Sequence, residues 1–170
     1  MRTRNRRRGA AMIEFALAGI AGVTMLIGTV RLSMGMWNYH TLAYATHEVN
    51  RYISVHGRSC SQGGNHCTIT VGNIATLFKS LAIGIPPDSA TLTLTSNSGT
   101  VYTCNPLSNC LNDTTQWPPV AHLDNAPGRF TTVTSSYTSN AAISIIWPGA
   151  RSSGIGSVTF PSTSKIIMQF

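Results

Sequence analysis

The sequence predicts an α+β protein, in which a long N-terminal transmembrane helix continues into a small head with an antiparallel sheet. Residues 10–30 form an apolar run that makes about 30 Å of helix, enough to span a hydrocarbon core. Beyond residue 57 the composition shifts to Ser, Thr, Asn, Gly and Pro, and short segments alternate apolar with polar residues. The length of 170 residues allows one ordinary domain and an anchor.

The helix is predicted to continue past the apolar run to residue 56. No proline interrupts residues 32–55, and Gly57 supplies a stop signal. Five residues of this stretch share one helical face: Leu42, Ala45, Val49, Tyr52 and His56. We therefore predict a leader at 1–9, a transmembrane and extended helix at 10–56, and a head at 57–170.

The head is predicted to contain one short helix and several strands. The amphipathic pattern of Val71–Ala82 indicates the helix, and Ala90, Leu92 and Leu94 alternate with threonines as in a strand. Val101 with Cys104 begins a second strand or a loop, and residues 105–128 with their four prolines form a long exposed loop. The remaining predicted strands are Phe130–Tyr137, Ala141–Trp147, with a buried face of Ile143, Ile145 and Trp147, and Ser157–Phe170, whose Pro161 indicates an edge or a bulge.

The four cysteines form two pairs that are close in sequence, and all follow the apolar run. An even count in polar, loop-like surroundings indicates disulfides in an oxidising compartment. Three pairings are possible, and we predict the one with the smallest loop-closure cost, Cys60–Cys67 with Cys104–Cys110. Zinc is the alternative at Cys60, His66 and Cys67, but the cysteine spacing is wide for a structural zinc site and a fourth ligand is not apparent.

The positive charge is concentrated at the N-terminus. The chain has a net charge of +7, but five of its twelve Lys and Arg are Arg2, Arg4, Arg6, Arg7 and Arg8. Without the leader, seven basic residues face five acidic ones, which leaves +2, so we expect no nucleic-acid partner. The arginines keep the N-terminus cytoplasmic and send the head across the membrane.

No motif in the sequence indicates catalysis. His47-Glu48 begins a metalloprotease pattern, but Arg51 stands where the second His is required. The chain has no nucleophile elbow, phosphate loop or dinucleotide fingerprint. We therefore expect no catalytic residue, no metal site and no cofactor.

A single carboxylate, Glu14, lies near the start of the apolar run. A charge within a membrane span costs several kcal/mol unless a partner neutralises it. Cleavage after Gly9 would create such a partner, because the new α-amino group of Ala10 lies one helical turn from Glu14 and could also reach the Glu14 of a neighbouring subunit. The alternatives are a shallow carboxylate that reaches the cytoplasmic headgroups, an uncleaved anchor and a conventional signal peptide.

The segment RRRGAAMIEFAL at 6–17 is similar to a type IV prepilin signal. With LAYATHEVNRYISVHG at 42–57 and STSKIIMQF at 162–170, the chain resembles a TadE-like pseudopilin of the tight-adherence (Tad or Flp) pilus system. The resemblance implies cleavage by a prepilin peptidase between Gly9 and Ala10, with Glu14 and Phe15 as recognition and assembly residues. The chain departs from the family at Arg31, since an acidic residue often follows the apolar run.

The resemblance also implies a location and partners. The helix would lie in the bacterial inner membrane or the core of an extracellular pilus, with the head in the periplasm. The partners would be other pilins or pseudopilins and an inner-membrane assembly platform. We predict a minor pseudopilin in pilus assembly or priming. The alternatives are an uncleaved, membrane-anchored periplasmic binding module, a major pilin and a competence-type DNA-binding pilin.

Overall fold

The computed structural model describes residues 4–60, 67, 69–140 and 157–169, without the side chains of residues 4–10 and 140. It confirms the α+β class, with a long N-terminal helix and a small four-stranded antiparallel sheet. The chain divides into two compact units, Met1–Trp37 and Asn38–Phe170. The second unit is called the head below.

Helix α1 runs from Arg4 to Ser54. It therefore includes part of the predicted leader and ends two residues before residue 56, the predicted end of the helix. After Ser54 the chain forms a tighter turn, in which the His56 amide donates to the Ile53 carbonyl at 3.1 Å. The Gln169 amide donates to the Ser54 carbonyl at 2.9 Å, so the C-terminal segment satisfies one of the acceptors left at the end of the helix.

Helix α2, Val71–Leu81, confirms the short amphipathic helix. Thr70 is its N-cap and accepts a hydrogen bond from the Asn73 amide at 3.2 Å. The Asn73 side chain accepts in return from the Thr70 amide at 3.0 Å, which completes a capping box. The buried face of α2 contains Ile74, Ala75 and Phe78.

The sheet is antiparallel, in the order β2-β1-β3-β4. Its strands are β1 Ala90–Thr95, β2 Val101–Cys104, β3 Phe130–Asn140 and β4 Ser157–Ile167. Register pairs Leu92 with Ser135 and Val133 with Ser164, so these residues face the core together. The opposite face carries threonines, since Thr93 pairs with both Thr103 and Thr134.

Strand β4 forms one edge of the described sheet, as Pro161 predicted. Proline lacks an amide hydrogen, and both proline and exposed lysine protect an edge strand from pairing with further chains. Pro161 and the exposed Lys165 therefore suit this position. The predicted strand Ala141–Trp147, with its face of Ile143, Ile145 and Trp147, lies outside the described residues.

The core of the head includes the last turns of α1. Leu42, Ala45, Val49 and Ile53 are fully buried there, together with residues of α2 and the sheet. Burying a Val, Leu or Ile side chain contributes about 1.5–3 kcal/mol. The head as a compact unit therefore begins at Asn38, whereas the sequence placed its start at residue 57. Tyr52 and His56 of the predicted face are half-buried.

The segment 105–128 is less exposed than predicted. Trp117 is 2% exposed and Leu107 is 1% exposed. The Trp117 amide donates to the Ile69 carbonyl at 3.0 Å, which ties this segment to the residues before α2. Prolines and polar residues predicted a surface loop, but the long-range contacts of two apolar side chains draw it into the core.

Candidate anchoring and processing site

The N-terminal part of α1 presents apolar side chains on every side. Among the residues of 11–37, Met12 is 77% exposed and Phe15 is 81% exposed, and the other large apolar side chains are also exposed. An exposed apolar surface of this extent is typical of a segment that meets lipid or other helices. Alanine, leucine and methionine keep it helical without tertiary support, since they have high helix propensity.

The polar side chains within this segment bond to their own helix. The Thr24 hydroxyl donates to the Ala21 carbonyl at 2.9 Å, and the Ser33 hydroxyl donates to the Thr29 carbonyl at 3.0 Å. Such local bonds satisfy hydroxyl groups where water is absent. These residues therefore do not prevent the segment from entering a membrane.

The described part of α1 contains one candidate membrane span, Ala11–Ser54, whose apolar window has a mean hydropathy of 1.9. One N-terminal apolar helix of this kind fits a single-pass membrane anchor. The exposed apolar residues and the internally bonded hydroxyls agree with this assignment.

Glu14 is exposed near the start of this segment. The one ion pair among the residues with described side chains joins Arg51 to Glu48 at 3.7 Å, so Glu14 forms no ion pair within that part of the chain. Arg31 follows by seventeen positions, which is about 25 Å along a helix. Gly9 and Ala10 lie in the first turns of α1, and the structure describes only their backbone.

Both predicted disulfide pairings are present in the head. Cys60 bonds to Cys67 and Cys104 bonds to Cys110, with Cα–Cα distances of 5.3 and 5.7 Å. The disulfides engage the cysteines considered for zinc. No group of three or more His, Cys, Asp or Glu within the described ranges could hold a metal ion.

Asp113 is held by a hydrogen-bond network. Its carboxylate accepts bonds from the Thr115 amide at 2.8 Å and from the Tyr102 hydroxyl. The hydrogen bonds from Thr115 and then from Tyr102 lower the pKa of Asp113, since both favour the charged form. The same contact with Asp113 raises the pKa of the Tyr102 phenol.

Asp124 holds the turn between β1 and β2. It is 2% exposed, and its carboxylate accepts bonds from the Ser98 amide at 3.0 Å and from the Ser98 hydroxyl. Burial acts to raise the pKa of Asp124, but the hydrogen bonds from Ser98 and Ser96 outweigh burial, so that the net shift is downward. Gly99 in this turn has a φ of +87°, a conformation that favours glycine.

A buried polar seam joins the end of α1 to the sheet. We define it by Thr46 and Asn50 on the helix and Ser135 and Ser164 on the strands. The Thr46 and Ser135 hydroxyl oxygens are 2.5 Å apart, and the Asn50 amide donates to Ser164 at 3.1 Å. Sequence reasoning missed this seam. The signal was present, because Thr46, Asn50 and Ser54 recur every four residues beside the apolar face.

Comparison with protein families shows that residues 9–51 match the model of the TadE-like proteins. The match begins at Gly9 and extends into the part of α1 that packs in the head. Comparisons with curated proteins and with solved structures give no significant match. The N-terminal segment is therefore TadE-like, which supports involvement of the chain in the Tad pilus system.

Proposed function

We propose that this protein is a minor pseudopilin that takes part in the assembly or priming of a Tad/Flp type IV pilus. The observation that carries the proposal is the TadE-like match at residues 9–51, which covers the apolar segment and its single carboxylate. In this proposal a prepilin peptidase cleaves after Gly9, and the protein acts as a structural subunit without catalysis.

The exposed surface of α1 supports the proposal. A pseudopilin needs a helix that is stable in the inner membrane and can then pack against other pilins or the assembly platform. The residues of 11–37 meet both needs, since their large apolar side chains are exposed. The arginines before Gly9 support a cytoplasmic N-terminus and hence a periplasmic head. The periplasm is an oxidising compartment, which suits the two disulfides of the head.

Glu14 has a specific part in the proposal. Among the side chains that the structure describes, no basic group forms an ion pair with this carboxylate. Cleavage after Gly9 would place a positive α-amino group one helical turn away, and a neighbouring subunit could present the same group. The two charges would neutralise each other where an unpaired charge is costly, and this pairing would set the stagger between subunits.

The test measures the N-terminal mass of the protein recovered from membranes and counts pili by electron microscopy. We expect the wild-type protein to begin at Ala10 and the Gly9→Val protein to retain its leader. Glu14→Ala should be inserted in the membrane but should fail to support pili.

Two matched variants control for general damage to the helix. Gly19→Val makes the same exchange at a glycine with open space around its Cβ position, and it should be processed normally. Glu48→Ala removes a carboxylate from the part of α1 within the head, and it should leave pili unchanged. An intact Met1 terminus in wild-type cells that make pili would contradict the pseudopilin proposal and support the uncleaved anchor.

A further inference from the structure

A cleft of about 520 Å³ opens on the head beside α2. One side is the outward face of α2, and the other is formed by residues 111–114 together with Tyr52 from α1. Its size lies within the range of about 300–1,000 Å³ that is common for small-molecule sites. No role in the proposed pilus function is assigned to this cleft.

The apolar part of the cleft consists of Tyr52, Leu77 and Leu111, which are half-buried and pack against the core. The Tyr52 ring is supported by His56, whose ring lies 4.2 Å away between centroids. His56 is itself positioned by a 2.6 Å hydrogen bond between Nδ1 and the Tyr52 carbonyl. The cleft therefore has an apolar surface with a supported aromatic ring.

The polar part of the cleft contains Asn73, Asn112 and Asp113. The Asn73 side-chain oxygen accepts from the Thr70 amide at 3.0 Å, so its NH₂ group is the part that can donate to a ligand. The Asp113 carboxylate is oriented by Thr115 and Tyr102, and its lowered pKa keeps it ionised at neutral pH. It can therefore only accept hydrogen bonds.

The two sides of the cleft are fixed to each other by the backbone. The Gly72 amide donates to the Asp113 carbonyl at 2.9 Å, and the Val71 amide donates to the Thr115 carbonyl at 2.8 Å. A Cβ atom at Gly72 would lie 2.6 Å from the Asp113 carbonyl oxygen, so this approach requires glycine. A preformed site loses little entropy when a ligand binds.

The lining selects the class of ligand. None of the described residues that line the cleft is Lys or Arg, so a phosphate or a carboxylate would find no cationic partner. An apolar surface beside one fixed acceptor and two amide side chains matches a sugar, whose ring has an apolar C–H face and a rim of hydroxyls. We infer that this cleft binds a neutral saccharide, with its ring against Tyr52 and its hydroxyls bonded to Asp113, Asn73 and Asn112. The inference does not rest on the proposed pilus function.

The test uses the full chain in lipid nanodiscs, which contain no glycosidic detergent. Saturation-transfer difference NMR is recorded with glucose, galactose, mannose and N-acetylglucosamine, and with galacturonate as an anionic probe. We expect transfer to at least one neutral sugar and none to galacturonate.

Two variants remove single donors. Asn112→Ala should lower the affinity about fivefold, the effect of one lost hydrogen bond.

Asn73→Asp keeps an oxygen for the helix cap but loses the NH₂ donor, so it should weaken binding while α2 remains intact by circular dichroism. Asn109→Ala is the matched control, since Asn109 is exposed outside the cleft and should bind like wild type. The inference would be overturned by no transfer to any neutral sugar, by transfer to galacturonate alone, or by unchanged binding in both Asn112→Ala and Asn73→Asp.

Discussion

The two parts of helix α1 have similar apolar residues and opposite environments. Leu26 and Val23 in the N-terminal part are 66% and 59% exposed, whereas Leu42 and Val49 in the head are fully buried. The N-terminal part is apolar on every side, while the later part is apolar on one face and polar on the other. The arrangement of apolar residues around the helix, more than their number, distinguishes a segment that needs a membrane or partners from one that packs on its own head.

The polar residues of the two parts differ in the same way. Thr24 and Ser33 bond to carbonyls of their own helix, whereas Thr46 and Asn50 bond to the sheet. A hydroxyl whose hydrogen-bond acceptor lies in its own helix needs no partner elsewhere in the protein. A hydroxyl with a long-range partner fixes where the helix lies on the sheet.

The largest expected effect comes from removing the later part of α1. A fragment of residues 57–170 should aggregate, because it lacks Leu42, Val49 and Ile53 from the core. A fragment of residues 38–170 should be soluble and unfold cooperatively. Size-exclusion chromatography and thermal circular dichroism compare the two. Cooperative folding of 57–170 would show that the helix is dispensable for the head.

A matched pair of isoleucines tests the comparison at single residues. Ile53→Ala should lower the free energy of unfolding of the head by about 2–5 kcal/mol, since Ile53 is fully buried. Ile20→Ala removes the same atoms from a side chain that is 65% exposed and should leave this free energy unchanged. Urea unfolding of the full chain in detergent, followed by near-ultraviolet circular dichroism, measures both. Equal losses would contradict the division into two parts.

A matched pair of threonines tests the buried polar seam. The Thr46 hydroxyl donates to the Leu42 carbonyl at 2.7 Å, so the Ser135 hydroxyl is the donor in their contact. Thr46→Val leaves that buried donor without its acceptor, which should lower the free energy of unfolding of the head by about 1–3 kcal/mol.

The control is Thr29→Val, because the Thr29 hydroxyl bonds only to carbonyls of α1 among the described residues. It should leave the unfolding of the head unchanged in the same urea experiment. If Thr46→Val were as stable as wild type, the seam would contribute nothing to the position of the helix.

The smallest expected effect concerns acid stability, which should depend on Asp124 in the head. The fold lowers the pKa of this carboxyl, so its ionised form contributes to the free energy of unfolding. This contribution is complete above the ordinary carboxyl pKa of about 4 and is lost as the pH falls through the lowered pKa of the folded state. Asp124→Asn should lower the free energy of unfolding by about 1 kcal/mol at pH 7 and by less under acid conditions.

Unfolding measured from pH 7 down to pH 2 checks this dependence. Asp88→Asn, which changes an exposed carboxylate, is the control and should follow the wild-type curve. A constant difference between Asp124→Asn and wild type at all pH values would exclude titration of Asp124 as the cause.

Local sequence patterns were sufficient to predict the elements whose structure depends on residues close together in the chain. The amphipathic pattern of Val71–Ala82, the alternation in Ala90–Thr95 and the short cysteine loops predicted α2, β1 and the two disulfides. Residues 105–128 were predicted less well, because Trp117 and Leu107 are buried by partners distant in sequence. The cleft was not predicted either, since Tyr52 and residues 111–114 meet only after folding.

Sequence patterns alone were enough to identify the apolar helix, its single carboxylate at Glu14 and the α+β class. These features follow from composition and from the period of apolar residues, which act over one or two turns of chain. Three further features became apparent from the folded head: it begins at Asn38, α1 ends at Ser54, and Thr46 contacts Ser135. Each of these depends on contacts between residues far apart in the chain, and a local pattern carries no information about which distant partner will satisfy a buried group.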